Sequence, residues 1–376
     1  MKFTDCVYIT GESCKKYNGN KNYISTGAVD EDHIDQSQVE SVSYDSKPSR
    51  ANLITDDNSI LFAKMQSTKK TLLINQELKE NVYSTGFFSV APKENILNRK
   101  CLYHLLASKT FLNQKDKYCS GATQKAITLE GLNKIEINIP KFEEQKSIAK
   151  KLDAIKQMIS SYNEILNKYD ELIKARFIEM FGDYDLAHPQ ESWVPIKNIG
   201  MVVGGATPKT NKDEYWDGSY RWITPAELDT DSGYIYDSAR KLTKAGVESC
   251  SLKEMPVGTV ILSSRAPIGK LAIAGNTFYC NQGFKNIICN KNIVPRYLYT
   301  ILLLNVEYLN SLGRGATFKE LSKGIVENIH IPVSSIELQK QFTTFVEQID
   351  KSKLVVQKSL EKTQQLFDSL MQEYFG

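Results

Sequence analysis

Two long stretches of the chain carry apolar side chains at alternating steps of four and three residues. In the first stretch these positions are Ile148, Leu152, Ile155, Ile159, Tyr162, Leu166, Tyr169 and Ile173. In the second they are Phe342, Val346, Ile349, Lys353, Val356, Leu360, Thr363 and Phe367, where Lys353 and Thr363 weaken the pattern. Such an a/d pattern predicts a helix with a coiled-coil edge, about 40 residues and ~60 Å long.

Each apolar edge must be covered by another surface. Two such helices in one chain can cover each other as an antiparallel pair, and we expect this arrangement. The alternative is that each edge dimerises with a second chain.

A mixed segment precedes each helix. In the second half, short apolar or aromatic runs bounded by Gly, Pro and Asn predict strands. These runs are 199–203, 215–223, 259–264, 278–280 and 286–289. Residues 295–312 predict a helix with Pro295 in its first turn. The first half follows the same plan, with 59–63 matching the strand at 259–263.

The chain is therefore a tandem duplication. Residues 121–125 (Gly-Ala-Thr-Gln-Lys) return as 315–319 (Gly-Ala-Thr-Phe-Lys), an offset of 315 − 121 = 194. Ile139-Pro140 returns as Ile331-Pro332, and Gln145-Lys146 as Gln339-Lys340. A period this long indicates two copies of a domain, since solenoid repeats span about 20–50 residues. Two copies imply two similar tasks.

The predicted fold is α/β (α+β), with two mixed domains separated by two long antiparallel helices that form a coiled-coil spacer with pseudo-twofold symmetry. The predicted boundaries are 1–141 and 183–333 for the mixed domains, and 142–182 and 334–376 for the spacer helices.

Composition adds few constraints. A hydrophobic fraction of 41% and a charged fraction of 24% are typical of an ordinary soluble protein, and the net charge of +3 permits a nucleic-acid partner. The seven cysteines contain no Cys-x-x-Cys pair and the four histidines are scattered, so we expect reduced cysteines and no zinc site. The N-terminus has no apolar signal core and no apolar run could span a membrane, which favours a cytoplasmic protein.

Motifs for catalysis are absent from the sequence. There is no Gly-x-x-x-x-Gly-Lys-Ser/Thr, no Asp/Asn-Pro-Pro-Tyr/Phe, no His-Glu-x-x-His and no Gly-x-Ser-x-Gly. Residues 204–210 have the composition of a phosphate-binding loop but the wrong spacing, and 225–229 lack the Glu-x-Lys that a nuclease would need. Duplication suits two binding sites better than one active site, so we expect no catalysis.

Polar and basic loops recur at matched points of both copies. Arg can bridge guanine, amides suit adenine, and hydroxyls and ammonium groups suit phosphates. The candidate DNA-binding residues are Lys64, Gln66, Lys69, Lys70, Thr123, Lys125, Thr207, Lys209, Thr210, Ser264, Arg265, Lys270, Gln282, Lys285, Arg314, Thr317 and Lys319.

Taken in order, these segments resemble the specificity subunit of type I restriction-modification enzymes. The resemblance covers nearly the whole chain and rests on 222–225, 261–269, 281–283, 313–317, Ile331-Pro332 with 337–340, and Ile139-Pro140 with 143–146. The first half departs from the pattern, since it has Ala63-Lys64-Met65 where the second has Ser264-Arg265-Ala266.

The resemblance implies two target-recognition domains that each read one half of a bipartite, asymmetric site on double-stranded DNA. It implies that the helices set the spacer and dock two methyltransferase subunits, which bring S-adenosylmethionine. Restriction subunits would bring ATP-driven translocation and cleavage with ATP and Mg. This chain would hold no cofactor and no metal of its own.

Three other hypotheses remain open at this stage. The chain could serve a related system whose partner fuses methylase and nuclease. It could be a stand-alone DNA-modifying enzyme, although the cofactor motif for one is missing from the sequence. It could be a structural coiled-coil adaptor, which would leave the matched basic loops unexplained.

Overall fold

The computed structural model describes residues 1–182, 184–228, 233–250, 252–265, 267–315 and 319–376. It divides into two compact units. Unit 1 consists of Met1–Asn163 and Ser359–Gly376, and unit 2 consists of Glu164–Lys358. Each unit contains one mixed α/β domain and part of each of two long helices.

The described helices are α1 (Phe3–Cys6), α2 (Arg99–Ala107), α3 (Lys109–Lys117), α4 (Leu129–Leu132), α5 (Phe142–Phe181), α6 (Lys244–Glu248), α7 (Pro295–Leu304), α8 (Val306–Leu312), α9 (Lys323–Glu327) and α10 (Ile336–Phe375). The two long helices predicted from the apolar period are confirmed as α5 and α10, each of 40 residues. All sixteen a/d positions along them are buried or half-buried. Among the described residues, none of the helices is long and apolar enough to cross a membrane.

The strands of unit 1 are β1 (Val7–Ile9), β2 (Glu12–Ser13), β3 (Asn20–Ile24), β4 (Val29–Asp30), β5 (His33–Ile34), β6 (Glu40–Ser43), β7 (Ala51–Ile54), β8 (Ile60–Ala63), β9 (Thr71–Leu73), β10 (Val82–Ser84), β11 (Phe87–Pro92), β12 (Cys119–Ser120) and β13 (Ala126–Ile127). They form a four-stranded sheet, β1-β11-β8-β9, and a five-stranded sheet, β2-β7-β10-β3-β6, beside two small ribbons. Strand β8 is buried along its whole length because both of its faces are covered.

The strands of unit 2 are β14 (Val194–Pro195), β15 (Gly200–Gly204), β16 (Trp216–Ile223), β17 (Tyr234–Ile235), β18 (Arg240–Leu242), β19 (Val260–Leu262), β20 (Leu271–Ala274), β21 (Tyr279–Cys280), β22 (Lys285–Cys289) and β23 (His330–Ile331). The sheet β15-β22-β19-β20-β17 repeats the order of β1-β11-β8-β9 and adds one strand. The sheet β18-β16-β21 repeats β6-β3-β10, including its single parallel pairing. The two mixed domains therefore share the order of seven strands, as the duplication predicted, while β2 and β7 of unit 1 and β17 of unit 2 have no counterpart in these sheets.

Each unit packs the beginning of one long helix against the end of the other. In unit 1, Leu152 of α5 and Phe375 of α10 belong to the same buried core. In unit 2, the ring centroids of Phe177 of α5 and Phe342 of α10 are 5.4 Å apart. The predicted antiparallel pairing is thus present within each unit.

The predicted helix 295–312 is wrong in one respect, since it is broken between α7 and α8. The buried Asn305 lies at the break, where its side chain accepts a hydrogen bond from the Leu186 amide at 3.0 Å and donates to the Tyr184 carbonyl at 2.9 Å. The matching break in unit 1 falls at Ser108, whose backbone is extended and whose hydroxyl caps α3. The break is therefore part of the shared fold.

Candidate nucleic-acid interface

The loop that follows β19 in unit 2 is held by hydrogen bonds between its own residues. The Ser263 hydroxyl donates to the Pro267 carbonyl at 2.8 Å and accepts from the Lys270 amide at 2.9 Å. Gly269 closes the turn with φ of 90°, a conformation that favours glycine. Arg265 projects from this loop with a side-chain exposure of 48%. The loop is therefore anchored at Ser263, Pro267 and Lys270, and it presents the exposed side chain of Arg265.

A second loop of unit 2, residues 204–210, is held by two tryptophans. The indole N–H of Trp222 donates to the Ala206 carbonyl at 3.1 Å, and that of Trp216 donates to the Lys209 carbonyl at 3.3 Å. At Gly205 a Cβ atom would lie 2.0 Å from the Cys280 carbonyl oxygen, so only glycine fits there. The candidates Thr207, Lys209 and Thr210 on this loop are exposed.

The loop that follows β21 joins these two loops. The Thr207 hydroxyl hydrogen-bonds the amide oxygen of Gln282 at 2.6 Å. The ammonium of Lys285 donates to the Ser264 hydroxyl at 3.3 Å. Four candidates from three separate sequence segments are thereby brought together in one domain.

An acidic residue, Glu320, lies among these candidates. One carboxylate oxygen is 3.2 Å from Lys285 Nζ and the other is 3.1 Å from Arg265 Nε. Burial raises the pKa of Glu320, but the hydrogen bonds and the positive charges of Lys285 and Arg265 together outweigh burial and leave that pKa below its ordinary value. Glu320 is therefore a charged partner of two candidate DNA contacts.

The corresponding loop of unit 1, residues 64–70, is positioned by α3. Lys115 is fully buried, and its ammonium donates to the carbonyls of Met65 and Thr68, each at 2.8 Å. The Asp116 carboxylate accepts from the Ser67 amide at 3.0 Å, where Ser67 adopts φ of 57°. Burial lowers the pKa of Lys115, against the attraction of Asp116. In unit 2 the neutral side chain of Asn310 on α8 holds the matching loop through the Ile268 carbonyl at 3.2 Å.

The candidate cations of unit 1 are partly engaged within their own domain. Lys64 Nζ lies 4.4 Å from the centre of the Phe88 ring and donates to the Thr85 carbonyl at 2.9 Å, and burial lowers the pKa of Lys64. Lys70 donates to the Thr26 carbonyl at 2.8 Å. Lys69 lies 3.5 Å from the Glu31 carboxylate, where both side chains remain well exposed.

The structure places the other candidates as follows. The backbone amide of Gln66 donates to the Lys125 carbonyl at 3.0 Å. This bond brings the exposed turn that contains Thr123 and Lys125 against the loop 64–70. Arg314 and Lys319 are exposed in unit 2, and Lys270 is half-buried. Ser264 is fully buried, and its hydroxyl accepts the hydrogen bond from Lys285. Thr317 lies outside the described residues.

Sequence reasoning missed three residues that shape these loops: Lys115, Asn310 and Glu320. Lys115 lies in the polar helix α3, whose sequence gives no sign that one lysine is buried. Asn310 is exposed on α8, and its sequence does not show that its side chain reaches the Ile268 carbonyl. Glu320 had a detectable signal, since it directly follows the repeated basic turn 314–319, where the first copy has Ala126 at the same offset of 320 − 126 = 194. Among the described residues, no cluster of His, Cys, Asp or Glu could hold a metal ion.

Comparison with known proteins supplies the family. The model of the type I restriction modification DNA specificity domain matches residues 6–169 and again 191–364. The MjaIX specificity subunit of a type I restriction enzyme from Methanocaldococcus jannaschii is 40% identical over 185 residues, which is 48% of this chain and 43% of that relative. The chain thus spans less than half the length of this relative.

Two further similarities extend over more of the chain. The HindI type I restriction enzyme specificity subunit of Haemophilus influenzae is 19% identical over 377 residues, covering 79% of this chain and 81% of the relative. The type I restriction-modification S subunit from M. genitalium shares the fold, with a TM-score of 0.59 at 16% identity, over 100% of this chain and 95% of that one. Since the family model matches both halves and most of the residues, the chain belongs to the family of type I restriction modification DNA specificity domains.

Proposed function

We propose that this chain is the DNA-recognition subunit of a type I restriction-modification complex. Each mixed domain reads one half of a bipartite, asymmetric site on double-stranded DNA, and the chain performs no catalysis itself. The observation that carries the proposal is the repetition of one topology with matched polar and basic loops at the same place in both units. Loops on a shared scaffold change their side chains without changing the fold, which suits two readers of different sequence.

The two long helices serve as the spacer and as the docking surface for two methyltransferase subunits. Their seam is covered within each unit, but unit 2 also leaves apolar side chains exposed away from the seam. These are Ile165, Leu172 and Ile178 on α5 and Leu354 and Val355 on α10. Exposed apolar side chains on adjacent helices suit a protein partner. S-adenosylmethionine would come with the methyltransferase subunits, and ATP with Mg would come with restriction subunits.

The test is methylation sequencing of DNA from cells that express this chain with its methylating partner, against cells that lack this chain. The expected result is one methylated motif made of two defined segments of different sequence, separated by a fixed number of undefined bases. A palindromic motif would indicate that two chains each use one domain. A motif that persists without this chain would contradict the proposal.

A further inference from the structure

The backbone of Glu320 is held in place by hydrogen bonds from its amide and its carbonyl. The Arg314 amide donates to the Glu320 carbonyl at 3.2 Å, and the Glu320 amide donates to the Arg314 carbonyl at 3.0 Å. The next residue, Leu321, donates its amide to the Ser264 carbonyl at 2.9 Å and is fully buried. The backbone at 320 is thus held against the loop that carries Arg265. For this reason Glu320 and Arg265 start from adjacent backbone positions, unlike two surface side chains that meet by chance.

Unit 1 has the same backbone arrangement with different chemistry. The Ile127 amide donates to the Lys64 carbonyl at 2.9 Å, as Leu321 does to Ser264. The isolated β-bridge between Arg265 and Glu320 corresponds to the one between Met65 and Ala126. Arg265 therefore matches Met65, and the alignment of Ala63-Lys64-Met65 with residues 264–266 was wrong by one residue. An ion pair in one domain therefore replaces two uncharged side chains in the other, at the same point of the shared fold.

The cation at this place also changes between the copies. The pair Gly86-Phe87 aligns with Gly283-Phe284, so Lys285 takes the position of Phe88. In unit 1 the single ammonium of Lys64 lies over the Phe88 ring. In unit 2 two cations, Arg265 and Lys285, share one carboxylate. The scaffold thus presents a different set of charges to a ligand from the same position in each domain.

The presence of Glu320 has two physical consequences for a polyanion at this surface. A carboxylate repels phosphates and cancels the charge of one of the two cations, so attraction that is independent of base sequence is weakened. The ion pair engages Arg265 Nε, which fixes the plane of the guanidinium while nearly half of the side chain stays exposed. A guanidinium with a fixed plane suits bidentate contact with a base edge and loses less conformational freedom on binding.

We propose that Glu320 is a specificity-determining residue of the second domain, which positions Arg265 for base reading and suppresses binding to non-cognate DNA. The proposal rests on the proposed function, since it assumes that this surface meets DNA. Met65 and Ala126 are then the residues at the corresponding specificity position of the first domain.

The experiment compares Glu320→Gln with the unchanged chain, each bound to its methylating partner. Glutamine keeps the shape of the side chain and removes its charge. The affinity for DNA is measured over a series of salt concentrations with two duplexes. One carries the motif that the complex methylates, and in the other the half-site assigned to the second domain is scrambled. The matched control is Glu327→Gln, because Glu327 pairs with Lys323 on α9 at 3.5 Å and its loss changes the net charge equally.

For Glu320→Gln we expect tighter binding to the scrambled duplex and a salt slope steeper by about 0.9, the value for one further cation available to phosphate. The preference for the cognate duplex should fall by about tenfold, which is the order of one bidentate base contact. Glu327→Gln should change neither quantity. In an Arg265→Ala background, Glu320→Gln should no longer lower the preference, because Glu320 acts on base reading through Arg265.

Three results would overturn the proposal. Equal effects of Glu320→Gln and Glu327→Gln would show that only net charge matters. Weaker cognate binding with unchanged binding to the scrambled duplex would show that Glu320 itself contacts a base. If the unchanged chain showed no preference for the cognate duplex, the proposed function would fail, and this inference would fail with it.

Discussion

A buried glutamine lies near the beginning of each long helix and makes the same three hydrogen bonds in both units. In unit 2 the Gln339 side-chain oxygen accepts from the Val294 amide at 2.8 Å, and its nitrogen donates to the Asn292 and Ser334 carbonyls at 3.3 and 2.9 Å. In unit 1 Gln145 makes the same set of bonds with the residues that lie 194 to 196 positions earlier. Its side-chain oxygen accepts from the backbone amide of Asn98 at 2.7 Å, and its side-chain nitrogen donates to the Ile96 and Pro140 carbonyls at 3.0 and 2.9 Å.

The change Gln339→Met keeps the volume of the side chain and leaves three backbone groups without a partner. A buried polar group without a partner costs about 1–3 kcal/mol. Because Asn292 is exposed and Val294 and Ser334 are half-buried, water can replace part of what is lost, and the free energy of unfolding of unit 2 should fall by about 1–3 kcal/mol. The matched control is Gln341→Met, since Gln341 is exposed on the same helix. We expect the control to change the unfolding free energy by less than about 0.5 kcal/mol.

Urea unfolding followed by tryptophan fluorescence measures this change directly. All three tryptophans of the chain, Trp193, Trp216 and Trp222, lie in unit 2. Hydrogen exchange gives a second measurement, because the amide of Val294 should lose protection in Gln339→Met, and that of Asn98 in Gln145→Met. If Gln339→Met unfolds at the same urea concentration as Gln341→Met, the glutamine does not hold the helix to its domain and the reasoning fails.

Further predictions concern the loops and the core. Arg265→Ala should weaken cognate binding by about 1–3 kcal/mol and relax selectivity at one half-site if the residue reads a base; a uniform loss with a salt slope smaller by about one would indicate a phosphate contact. Lys115→Met should raise hydrogen exchange in the loop 64–68 and weaken binding to the other half-site with an unchanged salt slope, because the buried ammonium cannot reach phosphate; a changed slope would contradict this. Burial lowers the pKa of His104 below its ordinary value of 6.5, although Asp153 opposes the shift. At pH values between the folded pKa of His104 and 6.5, the unfolded chain therefore binds more protons than the folded chain. The free energy of unfolding should fall as the pH drops from 6.5 through the folded pKa, and His104→Gln should remove that fall in urea titrations.

The elements that the sequence predicted well are those defined by local period. The a/d spacing of α5 and α10 shows directly which side of each helix is covered, because residues at alternating steps of four and three lie on the same side of a helix. The repeated segments gave the shared topology for the same reason, since matching core positions require matching strands. These signals need no knowledge of distant contacts.

The parts that could not be predicted depend on contacts between residues far apart in the chain. The end of α7 depends on Asn305 bonding to the backbone at Tyr184 and Leu186, more than a hundred residues away. In the same way, Lys115 is one of three lysines in α3, and only the path of the loop 64–70 determines that it is the buried one. Candidate residues on loops could be named from composition, but their partners could not.

Exchange of residues 183–333 for the matching domain of a relative tests the central claim most directly. The readout is the methylated motif in cells that contain the chimera and its methylating partner. Because the candidate DNA-binding loops of each unit are held by residues of the same unit, we predict that one defined segment of the motif changes while the other segment and the spacer length are retained. If both segments change together, the two domains do not read DNA independently and the account of two separate readers is wrong.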